Sequence, residues 1–596
     1  MSCAHSLHLP LSLSSSLAML CLALDCRSTV PSFRDLLAAA VTLAFCVLAA
    51  WHVSYSLKSN SKKQASKPSH YATNNYYFGA HNPSKPQGAM TGTENMFIKC
   101  EHEERLQTIS GLLCFDELLP VQAVFKIFSD ASSEHVRLKQ RVVSSSLLLH
   151  SFEDADNWKV ADHIKLVRLP DGTKEADFQR QVQNVIAEPL DKSKPLWQAT
   201  LFHNVRNGSG SALLLRMHHC VGDGMAANVL LASAAVDAKG VTFAHMMKEA
   251  FTKATNASKK SASGDKHDSR NFVHAFVNLQ SLGIPFSSTL ASLAFWLILR
   301  PVKMIGQAFA SLRSTYLSLR LLIVDLFLCV VERKTALRRE ASTRKSVLWS
   351  SSLSLDDVKT VKDAFGVTVN DVLVSALTGG LRRQIIQRGE TVPSNVFCPI
   401  PVTLRKTVAD IESIQNNIAG VWHFLPTGIA DPVERLAEVH TRLEERKRNK
   451  IYIGFTVFNM SFWGFTPRRI TSAIVNHFWG KSAAIITNVP GPQTALFLGG
   501  HKIREIHIFG LQSCYGGMAI SIMTYDGRVS ISVVSDANAE PNQICDTKVL
   551  DEFALEFEEY LKLAKTMKSD KQKEESQPTQ PVAARPAAKK QAAACQ

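Results

Sequence analysis

The chain has 596 residues, with 67 Lys and Arg against 52 Asp and Glu and a formal net charge of +15, and it is long enough for two or three domains with large cores. Its 45% hydrophobic and 20% charged content excludes an intrinsically disordered polymer. The positive charge calls for an anionic partner. The basic residues are scattered and no reader motif is present, so no nucleic acid is expected, and anionic lipid head groups or phosphate-bearing small molecules fit better.

Residues 1–35 form an N-terminal segment with a weak apolar stretch over 7–24. Residues 36–53 (LLAAAVTLAFCVLAAWHV) are uncharged and long enough to cross a bilayer as one helix. Trp51 and Tyr55 lie at its end, and Lys58, Lys62, Lys63 and Lys67 after it outweigh Arg27 and Arg34 before it. The positive-inside bias predicts a retained single-pass anchor with everything downstream in the cytosol. A cleaved secretory signal is the competing reading. The twelve cysteines stand singly along the chain, against a disulfide framework and in favour of a reducing compartment.

Residues 54–89 read as a linker, and 90–240 as a first folded block. Residues 241–345 form a crossover whose polar stretch 248–270 predicts flexibility. Within it, 284–299 and 317–331 are apolar with basic flanks. Pro285 and Ser287 interrupt the first run and Asp325 lies inside the second, so neither is a clean membrane span. Core helices joining the domains and helices lying in a membrane surface both fit. A second block covers 346–565, where Thr368 or Asn370 caps a helix whose apolar face is Val372, Leu373, Ala376, Leu377 and Leu381. Alternating strands over 518–525 and 529–535 flank Asp526-Gly527, a hairpin signal, and an amphipathic helix follows over 550–563. Residues 566–596 predict a disordered tail.

The stretch with most chemistry is His218-His219-Cys220-Val221-Gly222-Asp223-Gly224, between an apolar run over 212–217 and a helical pattern over 225–236. It predicts a strand-to-helix turn in which Gly222 and Gly224 fold the backbone back sharply, close to a bound substrate. A neutral imidazole in such a place can take a proton from a hydroxyl near neutral pH, and a carboxylate four residues on can fix the loop or orient the ring. That chemistry moves an acyl group onto a hydroxyl without a covalent enzyme intermediate. An ordinary surface turn, a thiol nucleophile at Cys220 and a metal site are the other readings. Adjacent residues leaving a strand point to opposite faces, so Cys220 and His219 do not meet. No His-Glu-x-x-His or Cys-x-x-Cys completes a ligand set, and no metal is expected. There is also no Gly-x-Ser-x-Gly elbow, and Gly480-Lys481-Ser482 is not a phosphate loop because position 475 is Val.

Four further segments accompany the motif. Pro195-Leu196-Trp197 precedes it; Asn370-Asp371, Pro401-Val402-Thr403-Leu404-Arg405 and Asn488-Val489-Pro490-Gly491-Pro492 follow. In this order the set resembles the bifunctional wax ester synthase/diacylglycerol O-acyltransferase family, within the CoA-dependent, chloramphenicol-acetyltransferase-like superfamily. The Asp-Phe-Gly-Trp-Gly motif of the sister plant-type alcohol acyltransferases is missing.

The resemblance implies an α/β fold of two chloramphenicol-acetyltransferase-like domains, mixed sheets backed by helices, with a tunnel between them in addition to the N-terminal transmembrane helix. It implies that His219 is the base, that His218 supports the active-site loop, and that Asp223 holds that loop through an ion pair with Arg405. Pro195, Leu196 and Trp197 are expected either to line an acyl or alcohol channel or to serve as core; Asn370, Asp371 and Asn488 are expected to be architectural. The implied substrates are acyl-CoA and a long-chain alcohol or diacylglycerol, with no cofactor. Membrane lipid is the expected neighbour and the endoplasmic reticulum the expected location. A sterol or small-alcohol acceptor, or a non-catalytic lipid-binding protein on the same scaffold, are the alternatives.

Overall fold

The computed structural model of the chain describes residues 88–146, 148–206, 208–264, 313, 315–325, 327–328, 337, 341–511, 517–537 and 547–576. The expected anchor at 36–53, the run at 284–299 and the last twenty residues of the expected tail lie outside the described residues.

The first half of the chain runs α1 (Gly92–Cys100), β1 (Thr108–Phe115), α2 (Val121–Glu134), β2 (Gln140–Ser144), β3 (His150–Asp154), β4 (Ile164–Arg168), α3 (Glu175–Ala187), β5 (Trp197–Val205), β6 (Gly210–His218), α4 (Gly224–Ala234), β7 (Ala235–Asp237) and α5 (Phe243–Gly264). The second half runs β8 (Lys345–Ser354), α6 (Leu355–Phe365), α7 (Val369–Gln387), β9 (Val396–Thr403), α8 (Val408–Ile411), β10 (Ile418–Leu425), α9 (Pro432–Arg448), α10 (Lys450–Gly464), α11 (Arg468–Trp479), β11 (Ala484–Val489), β12 (Leu496–Leu498), β13 (His501–Phe509), β14 (Met518–Tyr525), β15 (Arg528–Asp536) and α12 (Thr547–Ser576).

A seven-stranded sheet has the order β4-β5-β6-β1-β13-β12-β7, and a four-stranded sheet the order β11-β14-β15-β8. Both are mixed, since β4 and β5 are parallel, as are β11 and β14, while the other pairs are antiparallel. Strands β12 and β13 come late in the sequence yet complete the first sheet, with Leu113 of β1 opposite Ile506 of β13. The two halves are therefore joined by shared backbone hydrogen bonds and not only by packing. In this sheet β6, which ends at His218, lies one strand away from β13 of the second half.

Local signals account for several elements. Thr368, not Asn370, caps α7, and Asp371 returns the bond in a capping box. The turn between β14 and β15 has Asp526 at φ 46° and Gly527 at φ 74°, the pair of positive values that a tight hairpin requires. Both strands are buried along nearly their whole length, so the alternation expected there is absent: β14 is central in its sheet and covered on both faces. Glycines allow one close crossing, because a Cβ on Gly464 would overlap the backbone of Gly92. Lys99 closes that crossing of α1 with α10 by donating to the carbonyls of Gly464 at 2.6 Å and Thr466 at 2.7 Å.

Two expectations are corrected, and one pair of open alternatives is narrowed. The stretch from 248 is helical as far as Gly264; its Ala and Lys residues are good helix formers, and Glu249 pairs with Lys253 one turn on at 2.5 Å. The closing helix extends beyond 563 to Ser576, into the expected tail. In the run at 317–331, Ser318, Leu321, Leu322 and Asp325 are buried, and Asp325 accepts from Arg446 and from the Tyr452 hydroxyl, each at 2.6 Å. That face belongs to the protein core, while Tyr316, Leu317 and Ile323 remain exposed. No single described helix is long and apolar enough to cross a membrane.

Candidate active site

The turn after β6 is built from its polar backbone outward. Asp223 caps α4 by accepting from the Ala226 amide at 2.9 Å. Its other oxygen accepts from the Asn417 amide at 2.9 Å, and Arg405 donates to Oδ1 at 2.9 Å. Arg405 also donates to the carbonyls of Ser413 at 3.0 Å, Gln415 at 2.8 Å, and Asp410. One buried ion pair thus ties the His loop of the first half to residues 405–417 of the second. The pair expected between Asp223 and Arg405 is present.

Asn416 sits at the end of that second loop and reaches His219. Its side-chain nitrogen donates to the His219 carbonyl at 2.5 Å, which fixes Oδ1 as the atom 2.8 Å from His219 Nδ1. An amide oxygen can only accept, so Nδ1 carries a proton, and in the neutral ring Nε2 has the free lone pair. The Phe97 ring stacks on the imidazole with centroids 4.1 Å apart, and the His219 amide donates to the Gln107 carbonyl at 2.6 Å. Burial pushes the His219 pKa below the usual histidine value, with the Asp223 charge and the Asn416 bond opposing it. That direction favours the neutral ring.

His218 is turned the other way. Its Nδ1 accepts from the Cys220 amide at 3.0 Å, and Nε2 lies 2.9 Å from Glu101. Burial alone would raise the Glu101 pKa; the bonds and charges of His218 and Lys192 outweigh it and hold the carboxyl at about 2. The two histidines therefore carry opposite tautomers on opposite faces. His218 does not line the cavity and positions the loop from behind. Cys220 is buried, and burial pushes its thiol well above the ordinary value, the reverse of what a thiolate nucleophile needs.

His219 opens on a cavity of about 360 Å³ whose wall is mainly apolar: Phe97, Leu215 and Met217 from the first half, Val402, Trp422 and Met460 from the second. Asp223, Gly224, Arg405 and Asn488 also border it. Among the described residues one cluster of metal-ligating types, Cys114, Glu505 and His507, lies away from the cavity. Arg504 already donates to Glu505 there at 2.8 Å.

Residues 90–373 match the model of the wax ester synthase/diacylglycerol acyltransferase catalytic domain, and 414–560 match the model of the WS/DGAT C-terminal domain. The chain belongs to the wax ester synthase/diacylglycerol acyltransferase family. It is similar to wax ester synthase/diacylglycerol acyltransferase 4 of Arabidopsis thaliana, with 23% identity over 74% of this chain and 84% of that one. A Mycobacterium tuberculosis relative named as a diacylglycerol O-acyltransferase is 25% identical over 65% of this chain and 72% of its own. Among solved structures, the wax ester synthase/diacylglycerol acyltransferase of Marinobacter aquaeolei VT8 superposes with a TM-score of 0.51 at 15% identity, covering 80% of this chain and 99% of the other. That likeness establishes the shared fold.

The remaining motif residues of this family member sort by position. Pro195, Leu196 and Trp197 are buried and do not border the cavity, which supports the core alternative for this segment over the channel one. Trp197 stacks between Phe128 and His163, with centroids 5.1 and 4.5 Å away, and donates to the Leu138 carbonyl at 2.8 Å. The Leu196 carbonyl accepts from the His218 amide at 2.9 Å, so this segment braces the strand that bears the motif. Asp371 pairs with His440 at 2.7 Å besides capping α7. Asn370 accepts from the Asn488 side chain at 3.0 Å, and of these two only Asn488 borders the cavity.

Neither Gly222 nor Gly224 has a positive φ, so the turn does not need their torsional freedom. Gly222 is required for space, since a Cβ there would lie 2.5 Å from the Cβ of Ala226. Gly222 does not border the cavity; Gly224 does. Sequence reasoning missed Asn416, Glu101 and Phe97. Asn416 stands in an unremarkable Gln-Asn-Asn run, and Glu101 lies in a stretch with no motif.

Proposed function

We propose that this protein is an acyl-CoA-dependent O-acyltransferase that forms wax esters, triacylglycerol or both, with His219 as the general base. The observation that carries the reading is the neutral His219 ring, Nδ1–H held by Asn416 and Nε2 left with its lone pair, on the wall of an apolar cavity shared by both halves.

The hydroxyl oxygen of a fatty alcohol or diacylglycerol attacks the thioester carbonyl carbon while its proton passes to Nε2. The tetrahedral intermediate collapses by breaking the C–S bond, and the imidazolium returns the proton to the departing thiolate of coenzyme A. One ester and one free thiol result, with no covalent enzyme intermediate. Donor and acceptor reach the cavity from opposite mouths of an interdomain passage. A base of this kind supplies about 10²–10⁴-fold, and the positioning of two bound substrates accounts for much of the remainder. The uncharged segment 36–53 and the lysines after it support a single membrane anchor with the catalytic halves in the cytosol. The poor solubility of acceptor and product favours the endoplasmic reticulum membrane.

The deciding experiment offers labelled hexadecanoyl-CoA to the purified full-length chain with hexadecanol and diacylglycerol in competition. Labelled ester that disappears in His219→Ala supports the reading. Full esterification by His219→Ala, or labelled ester only when a sterol or a short alcohol is supplied, overturns it in the corresponding part. N-glycans at Asn207, Asn256 or Asn459 would overturn the cytosolic placement.

A further inference from the structure

A second cavity, of about 260 Å³, lies beside the first. Ile411 at the end of α8 is the one residue that borders both. Two further elements pass from one cavity to the other. Helix α4 gives Gly224 and Ala227 to the reaction cavity and Val229 and Ala232 to the second. Helix α5 gives Phe251 to the first and Met247 to the second, positions four apart that share one face of the helix. Lys248 of α5 pairs with Glu412 at 2.5 Å and fastens that helix to the turn carrying Ile411.

The two cavities thus follow one line along α4, from the His219 loop outward. From Gly224 to Ser233 the helix rises roughly 14 Å at 1.5 Å per residue. A cavity of about 360 Å³ is at the small end for a single ligand-binding site, yet the proposed reaction brings two long aliphatic chains to one imidazole. Ile411, which touches both spaces, is apolar and buried; the rest of the second wall is mixed, with Val229, Ala232 and Met247 beside Glu134, His135 and Thr242.

We propose that the second cavity receives the distal end of a fatty chain of one substrate and that Ile411, as the partition, sets the chain-length preference. This rests on the acyltransferase reading. The two sources of such a chain are the acyl group of the donor and the alkyl group of the acceptor.

The test measures kcat/KM for the full-length chain in two series. One runs from decanoyl-CoA to octadecanoyl-CoA at fixed hexadecanol; the other runs from decanol to octadecanol at fixed hexadecanoyl-CoA. Ile411→Trp closes the partition, and Met247→Trp fills the second cavity from a half-buried site on its wall. Each is expected to lower the octadecyl-to-decyl ratio at least ten-fold in one series, the discrimination that a few methylenes confer in an apolar pocket. The series that shifts identifies the chain. If Ile411→Trp does not fold, Met247→Trp carries the same readout. A ratio unchanged in both series, or a loss uniform across all lengths, overturns the proposal. A wild-type chain that esterifies none of these pairs instead overturns the acyltransferase reading beneath it.

Discussion

Asn416 grips His219 twice, accepting from Nδ1 at 2.8 Å and donating to its backbone carbonyl at 2.5 Å. The second bond gives the first its chemical meaning. Because the amide nitrogen is committed to a carbonyl, the oxygen is the end that faces the ring, and the ring must present Nε2 as its base. One residue from the second half of the chain thereby sets the tautomer of a residue in the first.

Asn416→Ala should therefore lower kcat by about 10–100-fold, by analogy with the loss seen when the partner that orients a metal-ligating histidine is removed, with KM for both substrates little changed. Asn416→Asp keeps an acceptor opposite Nδ1 but adds a charge that favours imidazolium, so the acid limb of its pH–rate profile should move upward. A profile identical to wild type in Asn416→Asp would mean that this contact does not govern the base.

Burial lowers the pKa of His219, and the direction fixes the pH response. The reactive species is the neutral ring, so kcat/KM should hold on acidification through the ordinary histidine range near 6.5 and fall only at lower pH. Stability follows the same group: an unfolded-state histidine takes up its proton before the folded one does, so the folded state is favoured above about pH 6.5 and loses that advantage as pH falls toward the folded pKa. An acid limb centred above 7 in the kcat/KM profile is inconsistent with the buried geometry.

The Asp223–Arg405 pair is buried on both sides and bridges the halves. Removing one member leaves a charge in a water-poor site, so Asp223→Ala or Arg405→Met alone should cost about 3–5 kcal/mol in denaturant unfolding. The double variant should cost less than the sum. Activity should fall in all three, because Asn416 and Asn417 lose the scaffold that holds their loop. Strict additivity of the two single losses would show that the pair contributes nothing through its own interaction.

The sequence disclosed what depends on neighbours and concealed what depends on distant ones. The His219 motif, the α7 cap (narrowed to Thr368 or Asn370) and the Asp526-Gly527 turn are local patterns and were legible. Asn416 meets His219 across 197 residues, and β13 joins β1 across about twice that span; no periodicity or spacing announces either. The family resemblance supplied Arg405 as the partner of Asp223, a pairing that spacing alone would not have suggested. Trp197 was legible only as an alternative between channel and core. A large aromatic beside a motif suggests a substrate channel, but its indole nitrogen is committed to the Leu138 carbonyl and its faces to two other rings, which is how a buried tryptophan satisfies both its area and its polar atom.

The two motif glycines should respond differently to the same small change. A Cβ on Gly222 would sit 2.5 Å from the Cβ of Ala226, on a helix whose first turn is pinned by Asp223, so neither atom can yield without moving the loop. Overpacking of this kind costs about 1–3 kcal/mol, and Gly222→Ala should lower both Tm and kcat because His219 rides on the displaced turn. Reducing the opposing side chain in Gly222→Ala/Ala226→Gly should restore kcat, though not all of the stability, since a glycine is then placed inside α4. At Gly224 the added methyl would meet Val489 Cγ2 at 3.5 Å, an ordinary contact. Gly224→Ala should therefore fold as well as wild type and act on KM, because its methyl enters the cavity. Equal losses of Tm in the two single variants would mean that space around Gly222 is not what the turn requires.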